Sequence, residues 1–489
     1  FESAQILYVG DPQIGASKGQ PQNGEELVAD SGAANTAARN DGFAWDRTLD
    51  IAVEQNPGLD FVISAGDQVN KTGQAKEEEY AGYLAPDALA SLPVATTIGN
   101  HDSLNPDYMY HFYNPNQTGY GETEAGGDYY YSYGSGLFIV LNTNNYNVAE
   151  HEQAIREAVA SDPDATFRIV TIHQDIYGSG LDHSDTDGMI LRTQLTPIFD
   201  EYDIDVVLQG HDHTYSRTKL LYGDGQTHGT YEFRLNEDGS DYDWDNAYNT
   251  QTDEQIPLYP EEGDTAGQAA HDAFQADNNC YTIEDVEGNT VTNPQGILYM
   301  TANSASGSKF YELISSQQDY VAARSQNWLP SYSVINLTAD SFSIDTYQIT
   351  DNGTVEKIDD TFTIRKTADT AAVTVDGEAA EVATANVGGE TYYRLRDLAT
   401  AVNGTADQFN VEWQNGVIVI TGEAYTTEAL APAAEATGSA ISLTIEVDGE
   451  TVTTSAAEIN GNNYVPASLL AELGVTASVS NGTLAITTR

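Results

Sequence analysis

Short apolar runs alternate with amphipathic stretches up to about residue 220, which is the order expected of α/β architecture. Six apolar runs have the length of buried strands: 5–9, 60–64, 94–98, 137–141, 167–172 and 204–208. Helical spacing is found over 43–55, 150–160 and 189–201. Strands resume at 296–301, and 332–364 is typical of a meander with a turn at Asp351-Asn352-Gly353. The pattern predicts one α/β domain over 1–365.

Residues 222–290 interrupt this pattern. Asp, Glu, Gly, Asn and Tyr dominate there, Arg234 is the only Lys or Arg, and no periodicity is sustained. We interpret the segment as an acidic insertion with little regular structure. A solvated loop is the simpler interpretation, and a specific binding role is the alternative.

An internal repeat follows a Thr/Ala/Asp linker at 366–371. Val375-Asp376-Gly377-Glu378 recurs 72 positions later as Val447-Asp448-Gly449-Glu450, and Asn415-Gly416 recurs as Asn481-Gly482. We therefore predict a small α+β repeat domain over 372–489, with halves at 372–425 and 443–489. The segment 372–489 contains no His or Cys, so no catalytic constellation is expected in it.

The charge balance limits the possible partners. The 489 residues include 75 Asp and Glu against 19 Lys and Arg, a formal net charge of −56. Nucleic acid and anionic membranes need clustered Lys and Arg, so neither is expected as a main partner. A hydrophobic content of 40% with 30 Tyr still allows packed cores.

The sequence also bears on disulfide formation, membrane insertion and cellular location. Cys280 is the only cysteine, so no intrachain disulfide can form. No apolar run is long enough to predict a transmembrane segment. The chain starts at Phe1 and soon enters a strand-like run, so we expect an extracellular or cell-surface protein whose signal peptide has been removed.

Residue types that ligate metals stand in five loops, each of which follows a predicted strand. The loops are Gly10-Asp11-Pro12-Gln13, Gly66-Asp67-Gln68-Val69-Asn70, Gly99-Asn100-His101-Asp102, Ile172-His173-Gln174 and Gly210-His211-Asp212-His213. Each loop alone is also explained by helix caps, turns or surface histidines. Together they converge on one edge of an α/β sheet, where ligands bind in such folds. Carboxylate and imidazole ligands suit Mn, Fe, Co or Zn better than Ca.

These motifs resemble the calcineurin-like metallophosphoesterase superfamily, most closely its purple acid phosphatase-like bacterial branch, over about residues 1–365. The resemblance implies an αββα sandwich and two divalent or trivalent metal ions. It implies that one ion is held by Asp11, Asp67 and His213, and the other by Asp67, Asn100, His173 and His211. By the same resemblance His101 assists the leaving group or stabilises the phosphate, Asp102 orients His101, and a metal-bound hydroxide attacks phosphorus.

Two positions depart from the family pattern. The general family has Asp-x-His where this chain has Asp11-Pro12-Gln13, so Gln13 supplies an amide oxygen or no ligand to the first metal. Purple acid phosphatases place a tyrosine three residues after the bridging aspartate, and this chain has Asn70 there, which predicts a colourless protein.

Other histidines, an aromatic run and one arginine lie outside the motifs. His111, His151, His183, His228 and His271 are interpreted as structural or exposed, with substrate contact as an alternative for His183. The aromatic run 108–113 is interpreted as packing, with a pocket wall as the alternative. Arg217 pairs either with substrate phosphate or with a structural carboxylate.

The C-terminal repeat resembles the copper amine oxidase N-terminal-like, or stalk, domain of bacterial surface proteins. The segments that carry this resemblance are Val375-Asp376-Gly377-Glu378, Tyr393-Arg394-Leu395-Arg396-Asp397-Leu398 and Val411-Glu412-Trp413. It implies a spacer or contact module, through which the protein touches a cell surface or cell wall, and no copper chemistry.

Together these features predict a metal-dependent phosphatase acting on a small phosphoester. One alternative is a phosphodiesterase acting on nucleotides or lipid head groups. Another is a surface binding module whose phosphoesterase domain has degenerated, motivated by Gln13, Asn70 and the repeat.

Overall fold

The computed structural model describes residues 3–489 except 20–30, 74, 164, 182, 185, 237–241, 367–372, 388–389, 415–416, 427–439, 460–461 and 481–482. The chain divides into two compact units. The first consists of the residues up to 162 together with 167–364, and the second consists of 365–489 together with 163–166.

Two large sheets form the first unit. Neighbouring strands of the first sheet are, in order, Thr290–Thr292, Phe362–Arg365, Ser341–Ile349, Ser331–Thr338, Ser3–Val9, Phe61–Ser64 and Val94–Thr96, with Val355–Lys357 beside Ser341–Ile349. Neighbouring strands of the second sheet are Val321–Ser325, Tyr215–Thr218, Leu298–Thr301, Val206–Gln209, Phe167–Thr171, Gly136–Val140 and Tyr129–Tyr133. The six predicted strands and the predicted meander all correspond to strands of these sheets.

The centre of each sheet is parallel. Ser3–Val9 pairs in parallel with Phe61–Ser64, which pairs in parallel with Val94–Thr96. In the second sheet, Phe167–Thr171 and Val206–Gln209 are parallel neighbours. Because parallel strands end at the same edge of a sheet, the loops that follow these strands are brought together there.

The two sheets face each other. Ile6 and Ile63 of the first sheet share one buried cluster with Ile169 and Leu208 of the second. Leu7 points to the opposite face, as the two-residue period of a strand requires, and belongs to a cluster that contains residues of a helix. The fold is therefore the predicted αββα sandwich.

Helices cover the outer faces of the sandwich. The helices of the first unit, with short 3-10 turns included, are Ala16–Gly19, Ser31–Gln55, Glu77–Leu84, Asp87–Ala90, Asn100–Ser103, Asp107–His111, Val148–Ser161, Asp187–Met189, Arg192–Glu201 and Thr265–Asp277. Trp45 and Leu49 of Ser31–Gln55 pack beneath the first sheet. None of the described helices is both long and apolar enough to cross a membrane.

The insertion at 222–290 has more regular structure than predicted. It contains the three-stranded sheet Tyr231–Glu232, Asn246–Asn249 and Gln255–Pro257, the strand Tyr281–Ile283 paired with Leu221–Gly223, and the helix Thr265–Asp277. Phe233, Ile256 and Phe274 share a small buried cluster with Met189 and Ile190, which precede the insertion. The prediction was wrong because these apolar residues are irregularly spaced and the helix is mostly alanine and polar residues, so neither shows periodicity.

The described residues of the second unit form two sheets and two short helices. The strands of one sheet are, in order, Glu378–Ala380, Val373–Val375, Thr483–Thr487 and Thr476–Ser480. Those of the other are Thr384–Val387, Glu390–Arg394, Asn462–Pro466, Glu450–Ile459, Ile441–Val447, Val417–Thr421 and Asn410–Gln414. The helices are Leu395–Ala401 and Leu469–Glu472. The unit is therefore α+β.

The repeated sequence forms the same turn twice. Asp376 and Gly377 have φ of 53° and 89°, and Asp448 and Gly449 have φ of 48° and 88°. Two consecutive positive φ values between paired strands define a type I′ hairpin, which Asp-Gly favours. The repeated Asn-Gly pairs, most of the linker 366–371 and the joining segment 427–439 lie outside the described residues.

Candidate metal centre

Strained backbone is concentrated in the predicted ligand loops. Asp11, Gln13, Asp67, His211 and His213 have φ between 37° and 69°. They are five of the twelve described non-glycine residues in this unfavourable region, which is typical of functional sites. Gly66 precedes Asp67, and a Cβ at position 66 would lie 2.4 Å from Nδ1 of His173. The loop that carries Asp67 therefore approaches His173 more closely than a side chain at position 66 would permit.

The loops bring their ligand atoms into two overlapping groups. Asp67, His173 and His211 place one ligand atom each within 4.8 Å of the others. Asp11, Asp67 and His213 form a second group within the same limit. Asp67 belongs to both groups, which is the arrangement in which one carboxylate can bridge two cations.

Backbone carbonyls fix the orientation of two histidines. Nδ1 of His173 donates to the carbonyl of Ala65 at 2.8 Å, and Nδ1 of His213 donates to the carbonyl of Lys309 at 2.8 Å. A carbonyl accepts only, so in each ring Nδ1 carries a proton and Nε2 is the available ligand atom. Both Nε2 atoms lie 3.5 Å from a carboxylate oxygen, Asp67 Oδ1 for His173 and Asp11 Oδ1 for His213.

The two amide residues also fit a metal centre. Oδ1 of Asn100 lies 2.9 Å from Nε2 of His173. Oε1 of Gln13 is buried without a hydrogen-bond partner among the described residues, and the Gln13 side chain is 1% exposed. Oxygen and nitrogen atoms that share no proton repel one another unless a cation lies between them. The donor set of carboxylates, imidazoles and amides suits borderline transition metals.

Burial and neighbouring charges shift the pKa values of the residues in the centre. Burial raises the pKa of Asp67, but the neighbouring His173, His101 and His211 bring it down to about 2. Burial and the charge of Asp67 raise the pKa of Asp11 well above its usual range. Burial also lowers the pKa of His173 to about 4. Asp67 is therefore a carboxylate and His173 a neutral imidazole near neutral pH, the forms in which both ligate metals.

His101 reaches this centre, and the neighbouring Asp102 is hydrogen-bonded to the backbone of two ligand loops. The His101 ring contacts the carbonyl of Asn70 through Nδ1, and its backbone N–H donates to Oδ1 of Asp67 at 3.0 Å. Oδ2 of Asp102 instead accepts the backbone N–H of Gly99 at 2.9 Å and that of Gln68 at 3.3 Å. A carboxylate at this position of the turn satisfies free backbone donors, so Asp102 stabilises the loops, and its role in orienting His101 stays a prediction.

Asp187 was missed by the sequence reasoning. Its Oδ2 lies 3.1 Å from Nε2 of His211, and its Oδ1 lies 2.9 Å from Nδ1 of His183. The rings of His183 and His211 stack with centroids 3.8 Å apart. Burial raises the pKa of Asp187, but the two histidines hold it well below its usual range. Asp187 follows no predicted strand, and the only signal for it was its spacing of four residues from His183.

The remaining candidates have structural contacts. Arg217 pairs with Asp359 through Nε at 2.6 Å, so the structural alternative is the one observed. His151 is buried against Asp128, with Nδ1 2.7 Å from the carboxylate. In the aromatic run Tyr108 is buried and hydrogen-bonded to Thr96, as packing predicts, whereas Met109, Tyr110 and Tyr113 are exposed.

Sequence comparison agrees with this geometry. Residues 5–215 match the family described as calcineurin-like phosphoesterase. This stretch is therefore a calcineurin-like phosphoesterase domain, and it contains all of the predicted ligand loops. The match covers 211 of the 489 residues. No significant match was found among curated protein sequences.

Solved structures show a distant likeness. Purple acid phosphatase PPD1 from yellow lupin (Lupinus luteus) seeds is 12% identical with a TM-score of 0.41, over 74% of this chain and 54% of that one. PhoD is 12% identical with a TM-score of 0.41, over 75% and 70%. GAP50, the anchor in the inner membrane complex of Plasmodium, is 12% identical with a TM-score of 0.36, over 73% and 89%. The chain thus spans about half the length of the lupin protein, and no function is transferred from these structures.

Proposed function

We propose that the protein is a phosphatase with a dinuclear metal centre. The observation that supports it most directly is the shared position of Asp67 in two groups of ligand atoms. In this proposal one metal is held by Asp11, Asp67 and His213, with Gln13 available to it. The second is held by Asp67, Asn100, His173 and His211. Fe, Zn, Mn and Co all suit these ligands.

When bound, the two ions would supply Lewis acidity toward the phosphoryl oxygens and would acidify a water molecule. The chain supplies the geometry. The carbonyls of Ala65 and Lys309 keep Nε2 of His173 and His213 free of protons and aimed at the centre. Asp67 is held in place by the backbone N–H of His101 at 3.0 Å. Such preorganised groups need no rearrangement when substrate binds.

His101 is proposed to assist the leaving group. Because its Nδ1 faces the Asn70 carbonyl, Nε2 is the atom left to meet substrate. Burial lowers the pKa of the His101 ring despite the charge of Asp67. To hydrogen-bond to or protonate a departing oxygen the ring must carry a proton on Nε2 as well as on Nδ1, so the lowered pKa favours this role at acidic pH.

The decisive experiment compares Asp67→Asn with wild type. After reconstitution with each of the four metals, bound metal and turnover of p-nitrophenyl phosphate and of bis-p-nitrophenyl phosphate are measured. We expect Asp67→Asn to lose turnover and to bind less metal, because an amide is a poor bridging ligand. The control is Asp203→Asn, at an aspartate whose side chain is 73% exposed. Undiminished turnover in Asp67→Asn would contradict the proposal.

The same preparations distinguish the alternatives. A phosphatase prefers the monoester, whereas a phosphodiesterase prefers the bis ester. Fewer than about one transition metal per wild-type chain would favour a degenerate domain that only binds. For the C-terminal unit we keep the proposal of a contact module at a cell surface, with an extracellular location for the protein.

A further inference from the structure

A loop outside the five predicted motifs also lies beside the metal centre. It runs over 302–311, directly after the strand Leu298–Thr301, which is parallel to Val206–Gln209. We name residues 302–311 the serine loop. Because its strand is parallel to one that carries ligand histidines, the serine loop emerges at the same edge of the sheet.

Three serine hydroxyls fasten the serine loop to the first ligand loop. Ser304 donates to the carbonyl of Asp11 at 3.0 Å. Ser306 and Ser308 both donate to the carbonyl of Pro12, at 2.5 Å and 3.1 Å. All three serines are buried. The serine loop is therefore held in a defined position relative to Asp11.

This arrangement places the ammonium of Lys309 near the centre. Nζ of Lys309 lies 4.6 Å from the ring centroid of Tyr311. The Tyr311 ring in turn lies 5.0 Å from the ring of His213 and 5.1 Å from that of His183, centroid to centroid. The carbonyl of Lys309 also accepts from His213. Lys309 is thus fixed to a ligand histidine at its backbone and to the wall of the site at its side chain.

The charge of Lys309 is not neutralised within the part of the chain that the structure describes. No carboxylate there lies within ion-pair distance of its ammonium, although the chain has about four acids for every base. By contrast Arg217, Lys357 and Arg394 are each paired with an aspartate. An unpaired ammonium beside a site for cations is unfavourable unless an anion also binds there.

The field of Lys309 reaches several groups of the centre. Burial lowers the pKa of His213, and the ammonium of Lys309 lowers it further. Burial and Asp67 raise the pKa of Asp11, and Lys309 opposes that rise. Lys309 is partly buried, and the contact with the Tyr311 ring places its ammonium beside the centre.

We propose that Lys309 binds a non-bridging oxygen of the substrate phosphate and thereby favours phosphomonoesters over phosphodiesters, an inference that rests on the proposed function. A monoester carries nearly two negative charges at neutral pH and has three non-bridging oxygens. A diester carries one charge and has two such oxygens. Two metals and one ammonium therefore match a monoester, and Tyr311 holds the ammonium in place by a cation–π contact.

The test uses the full metal-loaded chain and the variants Lys309→Met and Lys309→Arg. Methionine keeps the length of the side chain and removes its charge, whereas arginine keeps the charge. The control is Lys219→Met, at an exposed lysine beyond the end of the strand Tyr215–Thr218. Measurements are bound metal, kcat/KM for p-nitrophenyl phosphate and bis-p-nitrophenyl phosphate, and the Kd of inorganic phosphate by calorimetry.

We expect Lys309→Met to lower kcat/KM for the monoester about tenfold and to weaken phosphate binding about tenfold, since one charged hydrogen bond is lost. The bis ester should change less than about threefold. Lys309→Arg should recover most of the monoester rate, and bound metal should not change. Equal losses on both esters, or unchanged phosphate binding, would overturn the inference.

Failure of the proposed function gives a different result. If the wild-type protein hydrolyses neither ester, the phosphatase proposal fails while the phosphate titration still tests Lys309. If the wild-type protein hydrolyses the monoester and Lys309→Met behaves as wild type, only the role of Lys309 is contradicted.

Discussion

Gly99 lies against the carboxylate of Asp67, so that a Cβ at position 99 would be 2.0 Å from Asp67 Oδ1 and 2.2 Å from the Asp67 backbone nitrogen. Contacts below 3.0 Å to backbone require a shift of the main chain. The loop that carries Asn100 and His101 can therefore approach Asp67 only because position 99 has no side chain.

Gly99→Ala is expected to displace Asp67 and to lower both metal affinity and turnover, by about tenfold or more, because a shift near 1 Å in such a site has effects of this size. Gly58→Ala is the matched control, since its Cβ would meet only a flexible glutamine side chain at 3.5 Å. Metal titration and turnover measure the effect. Retention of wild-type metal affinity in Gly99→Ala would show that the two loops can separate without consequence.

Asp187→Asn tests whether the Asp187 carboxylate orients His211. Outer carboxylates of metal-bound histidines typically contribute 10- to 100-fold to metal affinity, so we expect a loss of roughly this size in a chelator competition titration. Asp224→Asn is the control, because Asp224 makes a similar contact to His228 at 3.0 Å in the insertion. Equal metal affinity in the two variants would contradict the role given to Asp187.

Gln13→Leu separates two roles for the buried amide. If Oε1 of Gln13 ligates a metal, the variant should bind one of two metals more weakly. In the metal-free protein the same change removes a buried oxygen that has no partner among the described residues, and we expect the free energy of unfolding to rise by about 1 kcal/mol. Calorimetric metal binding and chemical unfolding measure the two effects. A gain in stability with unchanged metal binding would exclude Gln13 as a ligand.

His151 and Asp128 should make stability depend on pH. Burial lowers the pKa of His151, but Asp128 more than compensates, and the folded-state pKa is raised above the ordinary 6.5. Both ring nitrogens face acceptors, Asp128 at 2.7 Å and the Asn145 carbonyl at 2.8 Å. The stabilisation is fully present below about pH 6.5 and is lost as pH rises through the folded-state value.

We therefore expect the free energy of unfolding of the metal-free protein to fall as the pH rises above about 6.5. His151→Gln should lack that part of the slope, and His228→Gln, at a histidine whose side chain is 16% exposed, should keep it. Denaturant titrations across this range measure the effect. Parallel profiles for wild type and His151→Gln would show that His151 does not change its protonation on unfolding.

The sequence predicted those parts of the fold that have regular spacing. Buried parallel strands such as Phe61–Ser64 are continuous apolar runs, and the loops after them hold the ligand residue types, so both were visible. The same reasoning missed the helix Thr265–Asp277, whose core contact comes mainly from Phe274. A single aromatic residue among alanines gives no helical period.

The site residues also differ in whether a local sequence motif reveals them or only the folded chain does. Asp67 and His173 could be recognised because each lies in a motif. Asp187 and Lys309 could not, because their place beside the centre depends on chain paths that no local pattern records. The backbone contacts of Asp102 were not visible in the sequence for a related reason, because they depend on which unsatisfied N–H groups lie near its oxygens in the folded chain.

The final strand of each half of the C-terminal repeat pairs with the other half. Val417–Thr421 runs parallel to Ile441–Val447, and Thr483–Thr487 runs parallel to Val373–Val375. Each half thus completes a sheet that the other begins. The two halves are interlocked and are not independent modules in sequence. A protein that lacked one copy of the repeat would have two open sheet edges. Such edges are prone to aggregation, so loss of one copy in a single step would be harmful. The two halves would therefore unfold as one unit.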